Sequence, residues 1–194
     1  MINIIDKEKA IQVLGEGGIV IFPTDTAFGI GCAADNEAAV EKLFRIRQRP
    51  SNKPTPVLCS DIEMVDKISV FNQGIKSDLM NKYWPGALTI ILKVRMGEIS
   101  SLVCGGTDTV GVRIPDSQVA LEIIRRLGKP IVGTSANFHG QPTPYDFSSV
   151  DRDLITLVDG IVEGECSLKQ ESTVVDCTVT PRKVVRQGAV KLNL

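Results

Sequence analysis

Apolar positions recur at helical spacing in three stretches of the chain, within residues 10–14, 39–44 and 119–127. In each stretch, apolar side chains three or four positions apart would form one face of a helix. Glycine or proline follows each stretch and predicts its end. A polar residue that can cap a helix precedes each one, and two shorter helices have the same start signal. The predicted caps are Asp6, Asp35 or Asn36, Asp61, Asn72 and Asp116.

Short apolar runs alternate with these helices and predict buried strands. The runs are "IVIF" (19–22), "PVLC" (56–59), "ALTIILK" (87–93), "TVGVRI" (109–114), "IVG" (131–133), "STVVDCTV" (172–179) and "KVVRQGAV" (183–190). The segment "PTDTAFGIG" (23–31) is rich in hydroxyls and glycine and predicts a loop. Strands and helices alternate early, whereas strands dominate late. We therefore expect an α/β fold of the α+β type, with a twisted mixed parallel/antiparallel sheet flanked by helices.

The length and charge of the chain narrow the classes of function. A chain of 194 residues is expected to form a single domain, residues 1–194. The net charge of -1 argues against a protein that coats nucleic acid through bulk positive charge. The N-terminus, "MINIIDKEKA", lacks the apolar core of a signal peptide, and no apolar run could span a bilayer. We expect a cytoplasmic location and no membrane partner.

Cysteine and histidine provide little for metal or nucleophilic chemistry. The five cysteines include no C-x-x-C pair, so neither a disulfide framework nor a zinc ribbon is indicated. Buried free thiols in a reducing compartment are the expectation. His139 is the only histidine, which excludes multi-histidine metal sites within this chain. No metal site built from protein side chains is predicted.

The segment "RIRQRPSNKP" (45–54) concentrates positive charge in this nearly neutral chain. From residue 42 to residue 60 there are five cations and no acid. One interpretation is a solvated helix end, where cations suit the macrodipole. This explains Lys42 and Arg45 better than Arg47 and Arg49, which lie beside Pro50. The other interpretation is a phosphate site, because guanidinium groups match phosphate oxygens in shape and charge.

Polar residues follow several of the predicted strands. Thr24 and Thr26 follow "IVIF", Ser135 and Asn137 follow "IVG", and Arg113 ends "TVGVR" after a Gly-Gly turn that could aim N–H groups at an anion. Ligands of open α/β sheets bind beyond the carboxyl ends of strands. Each hydroxyl could instead serve a turn or a helix cap. "GIGCAA" resembles a dinucleotide fingerprint but does not start at the end of a strand, and no P-loop is present. The residues alone indicate a crevice for a polyphosphate.

Seven motifs in order resemble those of the YrdC/Sua5-like family, the threonylcarbamoyl-AMP synthases, nearly end to end. They are "FPTDTAFGIG", "RQRPSNKP", "WPGALTIIL", "TVGVRIPD", "TSANFHGQPTP", "ESTVVD" and "VVRQGAV". The resemblance implies a YrdC-like fold with a basic cavity, in a short form without the family's C-terminal extension domain. It implies synthesis of threonylcarbamoyl-AMP and pyrophosphate from L-threonine, bicarbonate and ATP. A separate transferase complex would then form N6-threonylcarbamoyladenosine at position 37 of tRNA.

The resemblance also implies roles for individual residues. Arg47, Arg49, Ser135 and Asn137 would form the catalytic set, with both arginines on the ATP phosphates. The further ATP-binding positions are Ser51, Thr109, Thr143 and Arg186. The threonine-binding positions are Thr24, Arg113 and Ser172, with Arg113 on the carboxylate. Mg²⁺ would enter with ATP, and no organic cofactor is implied. Arg47 replaces the family's lysine, so lysine at this position is expected to keep most activity.

Two other functions remain compatible with these motifs. One is a double-stranded RNA-binding or ribosome-maturation factor of the same family without this activity, with weak RNA binding. The net charge weighs against it. The other is a related carbamoyl-adenylating enzyme of hydrogenase maturation, whose members carry acylphosphatase-like and zinc-finger modules. Neither module is recognisable in this chain.

Overall fold

The strands of the computed structural model, which describes residues 3–192, form two sheets. The strands are β1 (Val20–Pro23), β2 (Phe28–Gly31), β3 (Val57–Leu58), β4 (Ser69–Val70), β5 (Leu88–Val94), β6 (Thr109–Arg113), β7 (Ile131–Val132), β8 (Thr134–Ser135), β9 (Gly160–Ile161), β10 (Thr173–Asp176) and β11 (Lys183–Arg186). The four-stranded sheet has the order β8-β2-β1-β9, and the seven-stranded sheet has the order β11-β10-β5-β6-β3-β7, with β4 beside β5.

Parallel and antiparallel pairs occur in both sheets, which confirms the mixed α/β class. In the four-stranded sheet, β1 runs antiparallel to β2 and parallel to β9. In the larger sheet, β5 runs parallel to β10 and antiparallel to β6. The edge strands β7 and β8 are separated only by Gly133, so the chain passes directly from one sheet to the other. This junction brings the residues after β7 close to the ends of strands in both sheets.

Four of the α-helices within residues 3–192 begin directly after a predicted capping residue. The helices are α1 (Lys7–Gly15), α2 (Glu37–Ile46), α3 (Ile62–Ile68), α4 (Gln73–Ile75), α5 (Asn81–Tyr83), α6 (Gln118–Leu127) and α7 (Arg152–Thr156), with a π-helical turn at Lys76–Met80. Asp6, Asn36, Asp61 and Asn72 each accept a hydrogen bond from a backbone N–H in the first turn. The predicted cap Asp116 is wrong: Ser117 caps α6 and accepts from Ala120 N at 3.3 Å.

The central strand β1 is buried on both faces. Ile19 and Ile21 face a core shared with α2 and both sheets, whereas Val20 and Phe22 pack against α1 and α6. All four side chains are fully buried. Burial of such a side chain contributes about 1.5–3 kcal/mol. This strand therefore anchors the turn that follows it, where the first polar residues of the site lie.

The predicted loop at residues 23–31 is wrong in its second half, because Phe28–Gly31 is the strand β2. It pairs with β1 and β8. A Cβ atom at Gly31 would lie 1.9 Å from Val132 O, so the close approach of these two backbone segments requires glycine there. The glycines of "GIG" thus serve strand packing, and the actual turn is reduced to Thr24–Ala27.

No helix within residues 3–192 combines the length and apolar character that crossing a membrane requires. The N-terminal stretch tested for a signal peptide starts with residues 1 and 2, which lie outside the described residues. The expectation of one domain over residues 1–194 likewise includes four positions outside them and stays a prediction.

Candidate active site

A cavity of about 390 Å³ is lined by residues from both sheets and from the loop after α2. Eight of the eleven predicted site residues line it: Thr24, Arg49, Thr109, Arg113, Ser135, Thr143, Ser172 and Arg186. The structure therefore brings together groups that are far apart in sequence. Arg47, Ser51 and Asn137 do not line the cavity.

Arg113 is held at the end of β6 by a buried ion pair. Its Nη2 donates to Asp25 Oδ1, its Nη1 donates to Thr26 Oγ1 at 2.7 Å, and its Nε donates to Gly86 O at 2.9 Å. The side chains of Arg113 and Asp25 are 7% and 2% exposed. Burial lowers the pKa of Arg113, and the charge of Asp25 opposes this shift. A guanidinium has five N–H groups, so two remain without an acceptor in residues 3–192, enough for one carboxylate.

Arg47 lies beneath the cavity and is 2% exposed. It donates from Nε to Asn137 O at 2.9 Å, from Nη1 to Thr134 Oγ1 at 2.8 Å and from Nη2 to Asn137 Oδ1 at 2.9 Å. Burial, with a smaller contribution from Arg49, lowers the pKa of Arg47 to about 10, so it stays charged at neutral pH. The sequence predicts Arg47 on the ATP phosphates, whereas here three of its N–H groups are donated to neutral groups of the protein and the residue does not line the cavity.

Ser135 and Asn137 form a connected pair at the junction of the two sheets. Ser135 Oγ donates to Asn137 Oδ1 at 2.6 Å, and Asn137 Nδ2 donates to Gln141 O. Asn137 is buried, whereas Ser135 lines the cavity. Because the Ser135 hydrogen is directed at Asn137, the hydroxyl oxygen is left as an acceptor for a cation or a hydrogen-bond donor.

Arg49 lines the cavity from the loop after α2. It donates from Nε to Lys53 O at 3.2 Å and from Nη2 to Pro54 O at 2.5 Å, and burial lowers its pKa. Ser51 is exposed and lies outside the cavity. The Gly-Gly turn supports this loop and does not line the cavity: Gly105 has φ 60°, and a Cβ there would lie 2.6 Å from Pro54 N.

The cations of residues 42–54 lie in both environments that the sequence suggested, a solvated helix end and a site that faces a ligand. Lys42 forms a partly exposed ion pair with Asp159 at 2.7 Å, and Arg45 is exposed, as expected of a solvated helix end. Arg47 and Arg49 point inward instead. Within residues 3–192, neither of these two arginines has a carboxylate within ion-pair distance. Their charge is therefore left for a ligand to neutralise.

The wall of the cavity also contains a carboxylate, Glu171, that the sequence interpretation did not assign. Glu171 accepts from Thr143 Oγ1 at 3.1 Å and pairs with Arg186 Nη1 at 3.0 Å. Arg186 Nη2 donates to Ser172 Oγ at 3.1 Å, and Ser172 Oγ lies 2.9 Å from Thr89 Oγ1. Thr143 and Arg186 are thus already arranged around an anionic group, which shows that this wall can hold one.

Asp25 was also missed, although its role had a signal in the sequence. An arginine at the end of a buried strand requires a charged partner, and "PTDT" places an acid in the predicted crevice. One oxygen of Asp25, Oδ2, is buried without a hydrogen-bond partner in residues 3–192. Glu171 had no such signal, because its two partners, Thr143 and Arg186, come from separate segments.

Comparison with known proteins identifies relatives of this chain. The family model Sua5_yciO_yrdC, described as "Telomere recombination", matches residues 12–188. The chain is 37% identical to "Threonylcarbamoyl-AMP synthase" of Bacillus subtilis, with 94% of this chain and 53% of that protein covered. It is 33% identical to "Putative threonylcarbamoyl-AMP synthase" of Methanocaldococcus jannaschii, with 97% and 90% covered.

A solved structure agrees with the fold over nearly the whole chain. It is the crystal structure of Pyrococcus abyssi Sua5 complexed with L-threonine, with a TM-score of 0.89 and 32% identity. The match covers 95% of this chain and 55% of that one. The chain spans about half the length of the Bacillus subtilis protein and of Pyrococcus abyssi Sua5. Fold and sequence together show that the chain belongs to the Sua5/YciO/YrdC family.

Proposed function

We propose that the chain synthesises L-threonylcarbamoyl-AMP from L-threonine, bicarbonate and ATP and releases pyrophosphate. The names of the two relatives and the threonine bound to Pyrococcus abyssi Sua5 support this. The carrying observation concerns residues 3–192, where two N–H groups of Arg113 lack an acceptor and Arg49 has no carboxylate partner, and both arginines line the same cavity. One subsite thus suits an amino-acid carboxylate, and the other suits a polyphosphate.

In this proposal the threonine carboxylate binds to the two remaining N–H groups of Arg113. The ion pair with Asp25 and the bond to Thr26 keep the guanidinium from rotating, so the carboxylate has a fixed place. Thr24 and Ser172 supply hydroxyl groups beside it.

ATP binds along the wall formed by Arg49, Arg186, Thr109, Thr143 and Ser135. Arg49 contacts phosphate oxygens, and Arg47 adds positive charge from below without touching the nucleotide. Ser51 is omitted from this proposed set, since it is exposed outside the cavity. Within residues 3–192, no group of three or more His, Cys, Asp or Glu residues could hold a metal ion. Mg²⁺ fits as an ion carried by the phosphates. The side-chain oxygens of Ser135 and Glu171, which line the cavity, would be its protein ligands.

The reaction needs positioning and charge more than a protein nucleophile. The neutral amine of threonine adds to the carbon of bicarbonate, a C–N bond forms, and water leaves to give a carbamate. A carbamate oxygen then attacks the α-phosphorus of ATP. The bond between this phosphorus and the oxygen that bridges to the β-phosphate breaks, and pyrophosphate leaves. Arg49 and Arg186 stabilise the charge on the phosphates during this step.

The product would be the substrate of a separate transferase complex that forms N6-threonylcarbamoyladenosine in tRNA. Direct RNA binding as the main function is not favoured. The net charge is -1, and both Arg47 and Arg113 are buried, so they are not available to the backbone of a duplex.

Pyrophosphate release with single omissions tests this proposal. The complete mixture of ATP, Mg²⁺, threonine and bicarbonate should give pyrophosphate, and omission of threonine or bicarbonate should abolish most of it. Arg49→Ala should lose activity. Arg45→Ala removes the same charge from the exposed last turn of α2 and should keep activity. Pyrophosphate release that ignores both threonine and bicarbonate would contradict the proposal.

A further inference from the structure

We infer that Arg47 is a positioning residue: it fixes the backbone and side chains of residues 134–137, and through them it orients Ser135 toward the cavity. Its three bonds of 2.8–2.9 Å all end on Thr134 and Asn137. A fourth contact reaches Ser135 Oγ at 3.5 Å. The consequence for catalysis rests on the proposed function, whereas the fixing of this segment does not.

The acceptors of Arg47 explain why arginine is suited to this position. They are a hydroxyl, a backbone carbonyl and a side-chain carbonyl, and each receives its bond from a different nitrogen of Arg47. Lysine has one nitrogen and cannot reach all three places with this fork geometry. At 2% exposure no water would replace the lost bonds. The inference therefore predicts that lysine is a poor substitute at this position, the opposite of what the family resemblance implies.

Besides the direct contact at 3.5 Å, Arg47 is linked to Ser135 through one oxygen atom with shorter bonds. Asn137 Oδ1 accepts from Arg47 Nη2 at 2.9 Å and from Ser135 Oγ at 2.6 Å. If Asn137 turns, Ser135 loses the acceptor that directs its hydrogen, and its oxygen is no longer presented to the cavity. Ser135 lines the cavity and Arg47 does not, so the effect of Arg47 on a ligand passes through this pair.

Two measurements on Arg47→Lys test the inference, with Arg45→Lys as the matched control. Arg45 is two residues away, exposed at the end of the same helix, and it carries the same charge. Hydrogen exchange followed by mass spectrometry should show faster exchange in peptides covering residues 134–141 for Arg47→Lys and no change for Arg45→Lys. Turnover should fall by about tenfold or more for Arg47→Lys, because at least two buried hydrogen bonds are lost.

A double-mutant cycle with Ser135→Ala separates positioning from direct contact. If Arg47 acts through Ser135, Arg47→Lys should lower turnover by much less in the Ser135→Ala background than in the parent. The inference would be overturned if Arg47→Lys lowered turnover by the same factor in both backgrounds and left hydrogen exchange at residues 134–141 unchanged. Direct contact of Arg47 with the ATP phosphates would then be the better explanation. Should Arg47→Lys fail to fold, Thr134→Val removes one acceptor only and should still speed exchange in this segment.

The failure of the proposed function would be recognised separately. A parent protein without threonine-dependent pyrophosphate release would refute that function, whereas the exchange measurement would still decide whether Arg47 holds residues 134–137. Unchanged exchange in both Arg47→Lys and Thr134→Val would refute the positioning role, whatever the reaction is.

Discussion

Asp25→Asn should destabilise the protein strongly, although it changes neither the size nor the shape of the side chain. It leaves Arg113 as an uncompensated charge, and the side chain of Arg113 is 7% exposed. Removal of one partner from a buried ion pair costs about 3–5 kcal/mol. For a chain of this length, that corresponds to a fall in the melting temperature of roughly 6–20 °C.

Urea unfolding followed by circular dichroism measures this effect, with Asp108→Asn as the control. Asp108 pairs with Lys93 at 2.6 Å on the surface, where both side chains are more than half exposed. Loss of such a pair should change stability far less. Saturating L-threonine should narrow the gap between Asp25→Asn and the parent, because its carboxylate replaces the missing anion. Equal unfolding midpoints for Asp25→Asn and Asp108→Asn would refute the argument that the Arg113 charge is compensated by Asp25.

Three further outcomes follow from the cavity and the core. Serine should be the best substitute for threonine and valine a poor one, since a pocket that pairs a hydroxyl rejects analogues without it; relative kcat/KM values check this. Arg49→Ala should lower kcat/KM by about 10- to 150-fold with little change in melting temperature, and Ser135→Ala should lower it less, because a neutral hydroxyl is the weaker contact. Burial raises the pKa of Cys32 to about 12 and that of the half-buried Cys177 to about 11, so both thiols stay protonated at pH 8. Ellman's reagent should therefore label the native protein slowly and Cys177 first, with all five thiols reacting only after denaturation.

The sequence predicts the elements whose local signals agree with their tertiary roles. Of the five helix starts that the sequence predicts, the four with Asp6, Asn36, Asp61 and Asn72 as caps are confirmed, because a cap satisfies N–H groups within its own turn. Asp116 was wrong by one position, since serine and aspartate are both good caps and only the geometry selects Ser117. Long apolar runs such as Leu88–Val94 were also found, because burial on both faces leaves a continuous pattern.

Elements defined by distant partners could not be predicted from local pattern. Phe28–Gly31 contains two glycines, which disfavour a strand locally, and it becomes one only through its pairing with β1 and β8. Two-residue strands such as Gly160–Ile161 are too short for any periodicity. The same limit applies to the site: the sequence placed Arg47 near phosphates, but its acceptors on Thr134 and Asn137 are nearly ninety positions away.

The most direct test of the central claim is the identity of the product. The protein would be incubated with ATP, Mg²⁺, L-threonine and ¹³C-bicarbonate, and the mixture would be analysed by mass spectrometry. The account predicts threonylcarbamoyl-AMP that carries the ¹³C label, together with pyrophosphate in equal amount, and neither when threonine is omitted. AMP or ADP formed without any labelled adenylate would contradict the account, because the cavity would then hold ATP without joining it to an amino acid.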